Sequence, residues 1–334
     1  MADLLIGRAD GASEPLLSVA ETLIVASAND IGFRPRFGFG FPPGPGDHVA
    51  WTSAAGVNGS ATLKLQQAGD GTSKLTVASD VYDWTASPDA GRWFWLATIT
   101  PSGTPTLKTA PFPNGANPTD VRAGVYDFGL ASDDGKTVVA VVVGDKLVAI
   151  ADPINDPGNE LVLDTGVRAL LSFGAAGHVA YAKQNLGFNS TDLYVAKADG
   201  SAPCTVEATM PVPLRSVAFT PDGRAITWAR AGDNGFEAHY TRLRDCNTMP
   251  IATDITLIVP IGSQRVLFVD EFDSASVSGT LRARRVVGDA LSAEPPTAIA
   301  NHVDSYAIAG SDTVLYTVNT GGPDDGVYIR RFAD

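Results

Sequence analysis

Short apolar runs separated by turn residues recur along the chain, and the segment from Leu214 to Tyr240 shows this pattern most clearly. The run Leu214–Phe219 leads into Thr220-Pro221-Asp222-Gly223-Arg224, and the runs Ala225–Ala229 and Phe236–Tyr240 follow. Proline presets φ at the first central position of a tight turn, and glycine accepts positive φ at little cost. The segment therefore predicts a unit of strand, tight turn, strand, loop and strand.

Two related turns precede this unit at a regular spacing. Ser87 and Ser132 begin the turns Ser87-Pro88-Asp89-Ala90-Gly91-Arg92 and Ser132-Asp133-Asp134-Gly135-Lys136, at the position that Thr220 holds in its own turn. The first interval is 45 residues and the second is 88, which is two intervals of 44. A period of this length with several short strands is typical of a β-propeller, because each four-stranded blade buries its faces only by stacking on its neighbours.

The spacing predicts an all-β fold, a β-propeller with seven blades of four antiparallel strands in a single domain over residues 1–334. Asp3–Gly11 matches Asp192–Gly200 at five of nine positions, so we expect closing strands within residues 1–33 to complete the last blade. The alternative of six or eight blades stays open, because the first and fourth repeats are irregular. The blades are predicted at about 34–77, 80–120, 122–165, 166–212, 213–254, 255–300 and 301–334.

The turns at Ser87, Ser132 and Thr220, together with Leu193-Tyr194 ahead of Ala198-Asp199-Gly200-Ser201, resemble the repeat of TolB-like β-propellers. That repeat, which is similar to WD repeats, typically reads Ser-Pro-Asp-Gly-Lys, an apolar strand, Ile-Tyr and Asp-Gly. The resemblance covers about half of the chain. It implies a bacterial, exported protein that serves as a protein-binding platform. Related propellers also gate serine peptidases or act on polysaccharides.

The charge of the chain limits its partners. The net charge is −13 and the isoelectric point is near 4.6, which excludes nucleic acid as a partner because phosphates need a basic surface. The acidic surface keeps the protein soluble, or it attracts a basic partner or a cation. No window of eighteen apolar residues is present, so no membrane span is expected. We expect a monomer in solution.

The N-terminus and the two cysteines bear on localisation. Met1–Ile6 is too short and lacks the basic start of a secretory signal, so a periplasmic or extracellular protein would have had its signal sequence removed. The sequence leaves open whether a lipid anchors the protein to a membrane. Cys204 and Cys246 are 42 positions apart, about one repeat, which places them on neighbouring units and within reach of a disulfide. The alternative is two unrelated thiols.

Two aromatic-flanked carboxylates are the leading candidates for a binding site. Tyr82-Asp83-Trp84 and Tyr126-Asp127-Phe128 fall on predicted innermost strands, which line the channel of a propeller. With Asp304 as a third carboxylate, they would bind a channel cation such as calcium or the basic end of a peptide. Arg215, which also falls on a predicted inner strand, is a further candidate at the channel mouth. In the alternative reading, each Asp accepts hydrogen bonds from backbone amides and supports blade packing.

No motif for catalysis or for a cofactor emerges. The chain lacks a Gly-x-Ser-x-Gly nucleophile elbow, a phosphate loop and a dinucleotide fingerprint. His48, His178, His239 and His302 are far apart, although His302 and Asp304 would share a face of a regular strand. We therefore expect no cofactor and a non-catalytic platform that binds a protein or peptide. The alternatives are a carbohydrate-active enzyme (a lyase or glycosidase) that uses the channel, and a structural component of a surface assembly.

Overall fold

The computed structural model describes residues 4–6, 17–19, 39–40, 48–52, 61–67, 74–87, 91–97, 104–132, 135–174, 177–185, 190–211, 214–232, 235–273, 277–308 and 312–332. The regular elements of this part are β-strands, and none of its residues lies in an α-helix. The chain divides into two compact units, Met1–Thr165 and Gly166–Asp334.

The first unit contains a hairpin, a seven-stranded sheet and a four-stranded sheet, all antiparallel. The hairpin consists of β1 (Leu4–Ile6) and β2 (Leu17–Val19). The larger sheet runs in order through β3 (Phe39–Gly40), β4 (His48–Thr52), β5 (Ala61–Gln67), β6 (Lys74–Ala86), β7 (Arg92–Ala97), β8 (Thr106–Pro111) and β9 (Thr119–Ala123). The smaller sheet runs through β10 (Val125–Leu130), β11 (Thr137–Val142), β12 (Lys146–Ala151) and β13 (Glu160–Thr165).

The second unit contains two four-stranded antiparallel sheets and one larger sheet. The first four-stranded sheet comprises β14 (Val167–Phe173), β15 (His178–Asn185), β16 (Ser190–Lys197) and β17 (Cys204–Pro211). The second comprises β18 (Leu214–Phe219), β19 (Ala225–Ala231), β20 (Phe236–Arg242) and β21 (Asn247–Ile255). The larger sheet comprises β22 (Leu257–Ile261), β23 (Arg265–Asp273), β24 (Ser278–Val287), β25 (Ala290–Leu291), β26 (Thr297–Ile308), β27 (Thr313–Val318) and β28 (Gly326–Arg331).

Two long strands each pair with two successive groups of strands. The first half of β6 pairs with β5 and the second half with β7, and Val81 has a partner on both. Strand β26 changes partner from β24 to β27 in the same way, at Val303. The residues before them, Asp80 and His302, both have φ near 57°. The chain therefore turns at these two positions without ending the strand, which joins two groups of strands into one larger sheet.

A common local pattern, here called the junction pattern, marks the start of four strands or half-strands and, at Asp254-Ile255, the end of β21. A residue with positive φ precedes a buried β-branched residue, and aspartate and glycine tolerate this left-handed backbone better than most residues. The five pairs are Asp80-Val81, Gly124-Val125, Gly166-Val167, Asp254-Ile255 and His302-Val303. The ladder register then shifts at the following residue in four cases, which are Tyr82, Tyr126, Arg168 and Asp304.

The buried cores lie between successive groups of strands within each unit. In the first unit, Phe94 on β7 shares a buried cluster with Phe128 on β10 and Val138 on β11. In the second unit, Leu193 on β16 shares one with Trp228 on β19. Because a fully buried large apolar side chain contributes roughly 1.5–3 kcal/mol, these shared faces hold neighbouring sheets together.

The turn predicted at Thr220–Arg224 is confirmed. Gly223 has φ of 66°, and its N–H donates to the carbonyl of Thr220 at 2.8 Å. The hydroxyl of Thr220 accepts the N–H of Ala225 at 3.0 Å, and the carboxylate of Asp222 accepts the N–H of Arg224 at 3.1 Å. The threonine and aspartate side chains thus accept hydrogen bonds from backbone N–H groups at the turn that the strand pairing leaves without an acceptor.

A disulfide joins Cys204 on β17 to Cys246, just before β21, with Cα atoms 5.7 Å apart. A hydrogen-bond relay crosses between the same two sheets. The indole N–H of Trp228 donates to the Thr241 hydroxyl at 2.9 Å, which shares a hydrogen bond with the Thr248 hydroxyl at 2.8 Å. Thr248 also reaches the carbonyl of Val206 at 3.4 Å. A covalent bond and a polar relay therefore both link these sheets.

The predicted all-β class and the four-stranded antiparallel sheets are confirmed. The apolar pattern predicts an inner strand at Ile255–Val259, whereas β22 runs over Leu257–Ile261 and Ile255 is the last residue of β21. The sequence also predicts an exposed loop at Phe41–Gly46 and a hairpin turn at Asp10-Gly11, and both lie outside the described residues. Seven blades, ring closure and the blade boundaries stay predictions.

Candidate functional site

An open groove of about 600 Å³ lies in the first unit, beside the first half of β6. This half-strand forms one wall of the groove. One of its edges pairs with β5, and pairing of β6 with β7 begins only at Val81. The floor is formed by β7, β8 and β9. The groove is lined by Thr76, Val77, Ala78, Ser79, Asp80, Trp95, Ala97, Thr106, Lys108, Gly115, Pro118 and Asp120.

The loop that joins β8 to β9 also lines the groove. Gly115 in this loop has φ of 63°, and a Cβ placed on it would lie 2.4 Å from the carbonyl oxygen of Val77. The buried indole of Trp93 donates a hydrogen bond to the carbonyl of Pro113 at 2.9 Å and so anchors the loop to the sheet. Only glycine allows this approach, and the loop is consequently held against β6.

The chemistry of the groove is polar at its mouth and apolar at its base. Thr76 and Ser79 are exposed, whereas Trp95 is only 2% exposed and belongs to the floor. The Lys108 ammonium donates to the Asp120 carboxylate at 2.6 Å across β8 and β9. Hydroxyls, a carboxylate and an ammonium on rigid strands suit the recognition of a polar or peptide-like ligand.

Asp83 and Asp127 occupy equivalent positions after the register shifts of β6 and β10. Asp83 lies opposite Leu96 and Asp127 lies opposite Val141. Both side chains are half-buried. The Asp83 carboxylate accepts the backbone N–H of Trp84 at 2.8 Å, which is the hydrogen bond that the packing alternative expects.

The two neighbouring tyrosines have different surroundings, although both lie at the register shift. Tyr82 packs against the buried cluster that contains Phe94 and Phe128. Tyr126 is 52% exposed. Only Tyr126 of this pair therefore offers most of its ring to a ligand.

Asp304 is not the equivalent of the two other aspartates. Aligned on the buried valines of the junction pattern, it takes the place of Tyr82, and Ser305 takes the place of Asp83. Its carboxylate accepts a hydrogen bond from the Thr317 hydroxyl. The prediction that His302 and Asp304 share a strand face rests on regular alternation, which the positive φ of His302 and the register shift interrupt.

For two residues that the sequence analysis singled out, Arg215 and His48, the structure describes the strand position of the backbone alone. Arg215 lies on β18, opposite Ala229. His48 begins β4. The side chains of both are outside the described part of the structure.

His178 and His239 are packed residues on strands. The ring centroid of His178 lies 6.0 Å from that of Phe219. His239 is 9% exposed, and its Nε2 atom has no hydrogen-bond partner among the described residues. Burial, followed by the positive charge of Arg230, lowers the pKa of His239 to about 4, although Glu237 opposes this shift. His239 is consequently neutral at neutral pH.

Within the described ranges, no three side chains of His, Cys, Asp or Glu come together as metal ligands. The same ranges contain no helix with the length and hydropathy needed to cross a bilayer.

The groove was missed by the sequence reasoning, which placed a blade boundary at residues 77–80. The signal that marks its wall is the junction pattern. An Asp, Gly or His directly before a Val or Ile, as at Asp80-Val81, recurs at Gly124, Gly166, Asp254 and His302. The tight turns alone do not contain this signal.

Comparison with known proteins gives a fold but no family. No protein-family model and no curated protein sequence matches the chain. The tricorn protease structure is similar over 90% of this chain and 34% of its own, at 14% identity and a TM-score of 0.56. This chain thus spans about a third of that protein.

Two further solved structures match over most of their length. The β-propeller domain of the Trilobed protease from Pyrococcus furiosus, which has an open velcro topology, covers 89% of this chain and 98% of its own, at 12% identity and a TM-score of 0.51. Oligogalacturonate lyase in complex with manganese covers 86% of each chain at 12% identity and a TM-score of 0.51. These likenesses establish a β-propeller fold, and the TolB-like assignment stays a prediction.

Proposed function

We propose that this chain is an exported, non-catalytic β-propeller of the TolB-like group that binds a protein or peptide partner. The observation that carries the proposal is the groove beside β6, where the first half of the strand has β5 as its one strand partner among the described residues and faces hydroxyl and charged side chains. An extended peptide can add to such an edge through main-chain hydrogen bonds while its side chains enter the groove.

The rigidity of the groove supports this use. Its wall and floor are strands, and its loop is fixed by the close approach of Gly115 to Val77 and by the hydrogen bond from Trp93. A preorganised site loses little conformational entropy on binding. The fold likeness to peptidase propellers is consistent with handling of peptides, although it shows the fold alone.

The direct test is a crosslinked pull-down from an extract of the source organism, read by mass spectrometry. Ser79→Trp places a bulky side chain at the groove, and Thr165→Trp is a matched control at an exposed position of β13. We expect a stoichiometric partner that Ser79→Trp loses and Thr165→Trp retains. Equal capture by both variants would place the site elsewhere.

The alternative function is a carbohydrate-active enzyme that works from the channel. One structure with this fold is an oligogalacturonate lyase, and Asp83 and Asp127 are the carboxylates that an acid–base pair would need. This alternative predicts turnover of polysaccharides by the wild type and none by the double variant Asp83→Ala, Asp127→Ala. A structural role in a surface assembly predicts self-association at micromolar concentration instead.

Ring closure by residues 1–33 belongs to the same proposal. Beyond Val303, the last group of strands is the second half of β26 with β27 and β28, three strands where other sheets have four. On β28, Val327 is 71% exposed and Ile329 is 49% exposed. An exposed apolar edge favours aggregation unless a strand covers it. Deleting residues 1–33 is expected to lower the melting temperature and promote association.

A further inference from the structure

The interface between the β14–β17 sheet and the β18–β21 sheet is held differently at its two ends. At one end, the Cys204–Cys246 disulfide and the hydrogen-bond relay from Trp228 link the sheets. At the other end, Oε2 of Glu207 on β17 lies 3.9 Å from Nη1 of Arg230 on β19. A covalent bond therefore closes the first end, whereas an ion pair closes the second.

One carboxylate at the second end faces both a guanidinium and an imidazole. Nε of Arg230 donates to Oε2 of Glu237, its cross-strand partner on β20, at 2.8 Å. Nε2 of His239 lies 3.8 Å from the same Glu237 oxygen. We name these three residues and Glu207 the clasp. The Glu237 carboxylate thus has a hydrogen bond to Arg230 and lies just outside hydrogen-bond range of His239.

The imidazole is the least exposed part of the clasp. The side chain of His239 is 11% exposed, whereas those of the other three residues are between 31% and 34% exposed. Nε2 of His239 is buried and has no hydrogen-bond partner among the described residues. A buried polar atom without a partner costs free energy, so this atom would gain from a nearby acceptor or donor. Water reaches the two carboxylates of the clasp more readily than it reaches the imidazole.

Few other charged groups of the described residues face the imidazole. Its ring stacks on Trp228 of β19, and its cross-strand partner on β21 is Pro250. The only carboxylate on β21 belongs to Asp254, which is exposed. Glu207 is the only carboxylate on β17. The charge state of His239 therefore depends chiefly on burial and on the other members of the clasp.

We propose that the clasp opens in acid. When His239 takes up a proton from solvent, the Glu237 carboxylate turns from the guanidinium to the imidazolium, and this end of the interface separates while the disulfide holds the other. An imidazolium donates a charge-assisted hydrogen bond to a carboxylate, but burial penalises its charge, and entering water relieves that penalty. Arg230 is left with Glu207 alone, at a distance beyond a hydrogen bond. The clasp lies in the second unit, so it can operate whether or not the groove binds a partner.

Amide hydrogen exchange of the full chain at pH 7 and pH 4, read by mass spectrometry and corrected for intrinsic rates, tests the clasp. The pKa of His239 is about 4 when the clasp is closed and returns towards 6.5 when water reaches the ring. Opening at pH 4 is then favoured by about a hundredfold, and the amides of β17 around Glu207 should exchange faster by that ratio. The amides around Cys204 should keep their rate. Equal acceleration at both ends would mean global unfolding and would overturn the proposal.

Two variants and one NMR signal separate the clasp from a general loosening in acid. His239→Phe keeps a ring against Trp228 and should exchange alike at both pH values, whereas His302→Asn, at an exposed position, should behave like the wild type. In the wild type, the hydrogen bond to Glu237 protects the Nε–H of Arg230, and its NMR signal should broaden at the pH at which His239 titrates. A signal that persists through this titration, or an acceleration that survives in His239→Phe, would refute the clasp.

Discussion

The imidazole ring of His239 lies against the indole of Trp228, with ring centroids 4.3 Å apart and planes 17° from parallel. The two residues are cross-strand partners on β19 and β20. Trp228 is fully buried. The stack therefore places a titratable ring at the edge of an apolar core, and it connects the acidity of the medium to the packing of the second unit.

Acidification is expected to destabilise the second unit through His239. Its pKa is about 4 in the folded chain against 6.5 ordinarily, so the unfolded state binds more protons between these values. Stability is then lost as the pH falls from 6.5 towards 4, by up to roughly 3 kcal/mol at about 1.4 kcal/mol for each pKa unit. Urea unfolding at several pH values measures this slope.

The matched variant for this slope is His239→Phe, which keeps an aromatic ring against Trp228 and removes the titration. We expect its stability to vary less with pH between 6.5 and 4. His302→Asn, at an exposed position, should retain the wild-type slope. An unchanged slope in His239→Phe would assign the acid sensitivity to other groups.

Loss of the disulfide is expected to weaken the link between the two sheets that it joins. Cys204 and Cys246 are 42 residues apart, and closing a loop of this length stabilises a chain by roughly 4 kcal/mol in the chain-entropy account. Cys204→Ser with Cys246→Ser should therefore lower the free energy of unfolding, as should reduction of the wild type. A double variant as stable as the oxidised wild type would show that the hydrogen-bond relay from Trp228 suffices.

Gly115→Ala is expected to destabilise the first unit and to change the groove. The added Cβ would lie 2.4 Å from the carbonyl oxygen of Val77, and the residue has φ of 63°. Backbone strain alone costs roughly 1–3 kcal/mol. Gly144→Ala is the control, because Gly144 also has positive φ, of 85°, but open space around it. The stability loss should be larger at Gly115, and similar losses would show that the loop moves away freely.

The junction pattern predicts effects of different size for two substitutions at Asp80. Its φ is 57°, which glycine accepts and a β-branched residue does not. Asp80→Gly keeps the favoured backbone conformation and should lower the stability less than Asp80→Val, for which strain costs roughly 1–3 kcal/mol. Thermal melts of the two variants and of Thr76→Val, on the same strand, measure the difference. Equal melting temperatures would mean that the strand tolerates a regular backbone there.

The sequence allowed the strands and their turns to be predicted because these depend on nearby residues. Pro221, Gly223 and the hydroxyl of Thr220 define a turn within five positions, and the structure contains it with the expected hydrogen bonds. Apolar runs such as Lys146–Ala151 fall on strands for the same local reason. Repetition at about 44 residues then indicated the propeller fold that the structural likenesses support.

Side-chain environments could not be predicted, because they depend on register and on neighbouring sheets. Tyr82 and Tyr126 have the same local sequence and the same register shift, yet one packs in a core and the other is half exposed. Asp304 was grouped with Asp83 by residue type, but the ladder places it at the position of Tyr82. One residue of shift changes the face that a strand side chain occupies.

The sequence by itself determined the strand repeat, the tight turns and the acidic character of the chain, because propensity and composition act locally or add up over the whole chain. Only the tertiary structure decided which side chains meet. Pairing of Arg265 with Arg285 and the approach of Gly115 to Val77 depend on sheet register and on loops that pack across strands. These contacts depend on packing between residues that are distant in sequence, and no local sequence pattern specifies them.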